Sequence, residues 1–124
     1  GIRNTPANAV WGRAELAECS LSLDAALGYL QSAAANEPWP YPSESQARTR
    51  KVKTFVSRVA VETATKVAMI SGGRAYTPQH PVFRYLCDAL AGPLLRPPLP
   101  QAMDSIIQQL FPESVEHSAK RAAA

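Results

Sequence analysis

The residues with the most chemical potential lie between Ser71 and Arg96. Ser71-Gly72-Gly73-Arg74-Ala75-Tyr76 sets two glycines and a guanidinium in one turn. Glycine brings open backbone to the turn. Arg74 adds a positive charge beside it. With one helix before it and another after it, the segment reads as a helix end presenting backbone N–H groups. It also reads as a plain helix C-cap and turn. His80 stands directly before Pro81 and suits a capping or surface role. Arg96 stays protonated at any working pH, so it cannot be a general base. It suits an anionic ligand or the last carbonyls of the helix before it, and the structural role is favoured. Asp88 and Asp104 are the nearest carboxylates, and neither has sequence support as a base. No catalytic residue and no metal site is assigned.

Helices must hold these residues in place. Leu16, Leu23, Leu27 and Leu30 fall at helical spacing, with Ala14, Ala17, Ala25 and Ala26 beside them. The pattern predicts one long helix from about Ala7 to Asn36, with the leucines as its periodic face. The alanines favour helix and allow close helix–helix approach. Pro38-Trp39-Pro40-Tyr41-Pro42 cannot be helical, because each proline fixes φ and lacks a donor. It reads as an extended connector that lays Trp39 and Tyr41 over the domain. Ser43 or Ser45 can cap a second helix running to about Ser71. Its apolar stripe is Val52, Phe55, Val56, Val59, Thr63, Val67 and Ile70. A third helix starts at Pro81 and stops before Gly92-Pro93. Pro97, Pro98 and Pro100 break the chain again, and a fourth helix covers about Gln101 to Leu110. The expected fold class is all-α: an antiparallel helical bundle of two long helices plus two short ones. The bundle occupies residues 1–112, and the polar tail 113–124 is expected to fray.

Composition narrows the classes of function. A chain of 124 residues makes one domain with a modest core. The net charge is +3, and the one basic cluster is Arg48, Arg50, Lys51 and Lys53. Without interleaved aromatics that cluster reads as a solvated helix start, so no nucleic-acid partner is expected. Cys19 and Cys87 lie far apart inside helical patterns, as free thiols of a reduced, cytoplasmic protein do. No apolar run approaches the roughly 20 residues that span a bilayer. The opening Gly1-Ile2-Arg3-Asn4-Thr5-Pro6 has no apolar segment of a signal peptide.

Gly72, Gly73, Arg74, Ala75 and Tyr76, then Pro81-Val82 and Asp88-Ala89, stand in an order that resembles the C-terminal helical domain of the acyl-CoA dehydrogenase superfamily. The resemblance runs from about Ala9 to Leu110. It implies a helical bundle at the core of a homo-oligomer, with the glycine turn near the ADP part of FAD on the neighbouring subunit. Gly72, Gly73 and Arg74 are the cofactor-binding residues it implies, and an acyl thioester is the substrate of the full enzyme. Two departures stand out. The position of the family's proton-abstracting glutamate falls on Arg96, and the arginine that precedes the family's aspartate is Cys87. A sister branch of flavin-dependent monooxygenases carries histidines in this segment, where Gly92 and Leu95 stand here. The family's N-terminal helical and central β-domains, and the first helix of its usual bundle, have no counterpart in these residues. The expectation is a fragment, one chain of a split enzyme, or a stand-alone module. Its partners are then the remaining domains or chain of the flavoenzyme. The alternative reading is a non-catalytic oligomerisation module derived from the same fold.

Overall fold

The computed structural model describes residues 6–35 and 43–124. Helix α1 spans Pro6–Ala35, α2 Ser43–Ser71, α3 Pro81–Leu94, α4 Leu99–Leu110 and α5 Pro112–Ala122. A single 3₁₀ turn, Gly73–Tyr76, links α2 to α3, and no strand occurs among the described residues. The all-α fold is as expected, with a fifth helix added. The Pro38–Pro42 connector with Trp39 and Tyr41, and the helix end at Asn36, fall outside the described residues. Ser45 sits inside α2, where its carbonyl accepts a hydrogen bond from Thr49 Oγ1 at 2.9 Å.

Prolines shift several expected boundaries. Helix α3 continues past Gly92-Pro93 to Leu94. Pro93 removes one ladder donor, but the Leu95 N–H still closes on the Ala91 carbonyl at 2.9 Å, so the last turn survives. Helix α4 starts at Leu99 with Pro100 in its first turn, where a missing N–H leaves no ladder bond unmade. Pro112 opens α5 in the same way. Glu113 in its first turn and Lys120 and Arg121 in its last complement the helix dipole. Its described side chains are exposed, and it packs on α4.

Helix α2 is the spine: α1, the 3₁₀ turn, α3 and α4 all pack on it. The α1–α2 pair is antiparallel. A Cβ on Gly12 would lie 3.5 Å from Ile70, Glu15 meets Lys66 at 3.0 Å, and Tyr29 meets the Phe55 ring edge-on at 5.8 Å. The buried seam of α1 is Gly12, Cys19, Ala26 and Ala33, each seven residues after the last. That repeat keeps one line of the helix against its partner. The leucines expected as its face flank this seam instead. Leu16, Leu23, Leu27 and Leu30 are all exposed, Leu27 at 53%. Small side chains let the two backbones close together, and the bulky ones are displaced to the side.

Helix α2 buries a second flank as well. Val52 and Val59 are buried in the expected apolar stripe, but Thr54 and Ser57 are buried too. They face α3 and α4. Thr54 lies beside Leu99 and Ala102, and its hydroxyl has no hydrogen-bond partner. Gly92 of α3 crosses directly over Ser57. A Cβ there would come 2.9 Å from Ser57 Oγ and 3.2 Å from Ser57 Cβ. No large side chain is fully buried among the described residues. The accessible surface is 9322 Å², whereas a compact monomer of this mass exposes about 6,500 Å².

Two expectations follow from this packing. Gly92→Ala gains helix propensity but must push α3 off Ser57, for a net loss of about 1–2 kcal/mol in urea unfolding. The loss is expected to shrink in a Ser57→Ala background, and an unchanged loss there would refute the contact. Lys66 is held above the ordinary lysine value of 10.5, first by its hydrogen bond to Glu15 and then by the Glu15 charge. A raised folded value means the pair contributes fully below pH 10.5 and is lost as pH rises through the folded value. Alkaline unfolding curves of the wild type should therefore show an extra loss of stability that Glu15→Gln lacks.

Candidate functional site

The site grows out of the way α2 ends. The Gly72 N–H donates to the Ala68 carbonyl at 3.1 Å and is shared with Met69 at 3.3 Å. Gly72 then takes φ 75° and ψ −168°, a region essentially confined to glycine. Its carbonyl accepts from the Ala75 N–H at 2.9 Å, which starts the 3₁₀ turn. One residue thus ends one helix and opens the next. Gly73 differs: its φ is not positive, and a Cβ added there meets nothing within 4 Å. Nothing in the described structure requires Gly73 to be glycine.

The turn is pinned on its far side. Ala75 is buried, Thr77 Oγ1 donates to the Arg74 carbonyl at 2.8 Å, and the His80 N–H donates to the Thr77 carbonyl at 3.0 Å. His80 fulfils the capping role expected of it: its Nδ1 accepts from the Val82 N–H at 3.2 Å. Tyr76 is 83% exposed and rests edge-on against Phe83 of α3, with ring centres 6.3 Å apart.

Between the end of α2 and α3 this leaves an open groove of about 460 Å³. Gly72 and Gly73 form its rim, Met69 and Tyr76 flank it, and Thr65 and Leu86 help to line it. The Arg74 side chain is exposed and has no ion pair or hydrogen bond among the described residues. The groove is mostly apolar, and its carboxylate-free lining offers no proton acceptor. Tyr76 was in view within the motif. Met69, Thr65 and Leu86 were not singled out, because their relation to the turn depends on how α3 folds back.

The other polar candidates lie elsewhere. Asp88 is exposed and pairs loosely with Arg84 at 3.8 Å, one turn away on α3. Asp104 is exposed on α4. The segment carrying Arg96 is tied to α2 by Lys53, whose Nζ donates to the Leu95 and Pro97 carbonyls. Lys53 therefore binds the carbonyls that follow α3. The basic cluster is not merely a solvated helix start. Residues 53 and 72 are about 28 Å apart along α2 at 1.5 Å per residue. The segment bearing Arg96 and the glycine turn thus sit well apart along the spine, and the structure does not bring them together. Cys19 is buried and Cys87 exposed, and both are free. No metal-binding group of three His, Cys, Asp or Glu occurs among the described residues. No helix there is long and apolar enough to cross a membrane.

The family described as acyl-CoA dehydrogenase, C-terminal domain, matches residues 6–94. The chain belongs to that family. No curated protein and no solved structure matches it. The acyl-CoA dehydrogenase match takes in α1, α2, the glycine turn and all of α3, and ends at Leu94. The segment tied down by Lys53, together with α4 and α5, lies past it. The groove at Gly72 is therefore inside the part of the chain shared with the acyl-CoA dehydrogenases, and Arg96 is outside it.

Gly72→Ala places a Cβ in open space but in a forbidden backbone region. The expected cost is about 1–3 kcal/mol of stability, read by thermal or urea unfolding. A neutral substitution would show that the turn adopts another conformation in solution.

Proposed function

We propose that this chain is the C-terminal helical part of an acyl-CoA dehydrogenase-like, FAD-dependent oxidoreductase of the cytoplasm. In this reading residues 1–112 act as the unit, and 113–124 are an appendage. The unit contributes flavin contacts through Gly72, Gly73 and Arg74, and an oligomer interface through α1. The observation that carries the flavin reading is Gly73. The fold does not need glycine there, and the bare backbone leaves room for a ligand to approach the turn from outside. The unpaired Arg74 guanidinium beside it suits a pyrophosphate. The exposed Tyr76 ring and the Met69 thioether offer an apolar wall for a flat ring. These residues fit one edge of a dinucleotide, not a whole site.

When bound in the complete enzyme, the flavin supplies the two-electron oxidation of an acyl thioester. This chain's residues bind and orient one end of it. No carboxylate in the groove can take a substrate proton, so the chain alone is expected to be inactive, and the base must come from elsewhere in the assembly. The interface reading rests on α1. Val10, Trp11, Leu16, Leu23, Leu27 and Leu30 are exposed along it. The same surface supports the second reading, an oligomerisation module without flavin.

Gly73→Ala separates the two. The native assembly containing this chain should show a flavin absorption band. Gly73→Ala should leave the stability of the chain unchanged or slightly raised, while flavin retention falls on the order of tenfold. A saturated, flavin-free native assembly would leave the oligomerisation reading in place and remove the flavoenzyme one.

A further inference from the structure

Helix α3 has an acceptor at its start that exists in only one protonation state. The His80 Nδ1 lone pair takes the Val82 N–H at 3.2 Å, and the His80 carbonyl takes the Phe83 N–H at 3.0 Å. The ring can do this only when neutral with its proton on Nε2. A protonated imidazole has a donor on both nitrogens, so the Val82 N–H loses its partner. It also sets a positive charge at the helix end that the dipole makes positive already. Serine, threonine, aspartate or asparagine would cap this turn without that liability.

We infer that protonation of His80 uncaps α3 and loosens the wall of the glycine-turn groove. The link is short. Phe83, in the first turn of α3, is the ring against which Tyr76 rests, and Tyr76 flanks the groove. Fraying of that first turn releases Phe83 and leaves Tyr76 without its support. Among the described residues, the surroundings supply no counter-charge that would hold a protonated ring in place. The 3₁₀ turn offers Arg74 and Tyr76. Helix α3 offers Arg84, Tyr85 and Asp88, with Asp88 already facing Arg84. The last two turns of α2 carry one charged residue, Lys66, which is committed to Glu15 on α1. The other histidine, His117, lies on α5, which packs on α4. The inference concerns the groove itself and does not depend on what the groove binds.

Site-resolved amide exchange on the 124-residue chain at about pH 7.5 and 5.5, each corrected for the intrinsic exchange rate, tests it. Protection at Val82 and Phe83 should fall about tenfold at the lower pH, as expected for a lost cap. Protection at Val59, in the middle of α2, should not change. His80→Asn keeps a cap that does not titrate, so its protection should be high at both values. His80→Ala should be low at both. The proposal is overturned if wild-type protection at Val82 is independent of pH, if His80→Asn shows the same loss, or if Val59 loses protection in parallel.

Discussion

Everything in this chain is held in place through α2. It alone buries two flanks, and on both it does so with small residues at the points of closest approach. On one side Gly12, Cys19, Ala26 and Ala33 of α1 form the buried line of the seam. On the other, Ser57 meets Gly92 so closely that one added carbon would strike it. Close backbone approach brings many atoms within contact distance without large side chains. It also explains why no large side chain is fully buried among the described residues. The bulky apolar residues are left over, and they stand exposed along α1 and on the outer faces of α2, α3 and α4.

Which parts of this were legible in the sequence follows from the same fact. The first four helices were, because Pro81, the glycine pair and the apolar periodicities are local signals, whereas α5 was not read as a helix. The face that α1 buries was not. Leucines at helical spacing look like a core, and only the partner's backbone decides that the glycine, cysteine and alanine line goes in instead. The second buried flank of α2 was hidden for a related reason, since Thr54 and Ser57 are polar types that a hydrophobic pattern passes over. Prolines misled at the boundaries. Pro93 and Pro100 sit near helix ends, where a missing donor costs little, so they mark ends without stopping helices where they stand. At the site, the turn and its glycines were readable, whereas the groove needed α3 folded back along α2 to exist.

The two glycines of the turn separate what the fold needs from what it does not. Gly72 is constrained by its own backbone, and a function need not be invoked to account for it. Gly73 has an ordinary φ and open space on its side-chain face. The chain's own packing does not account for glycine at that position. Sequence alone ranks the pair together, and only the geometry divides them.

The length of α2 then sets what this chain can do. The turn with Gly73 and Arg74 lies at one end, and the segment bearing Arg96 is fastened by Lys53 near the other, about 28 Å away. A general base and the adenine end of an extended dinucleotide are expected to lie far apart in such an enzyme, so separation by itself does not argue against chemistry. The residue type does. Arg96 cannot accept a proton, it lies beyond the stretch matched to the family, and Lys53 already serves the carbonyls on either side of it. The Lys53 end of the spine is thus built to hold the start of α4 in place. The glycine end presents open backbone, a guanidinium unpaired among the described residues and an exposed ring.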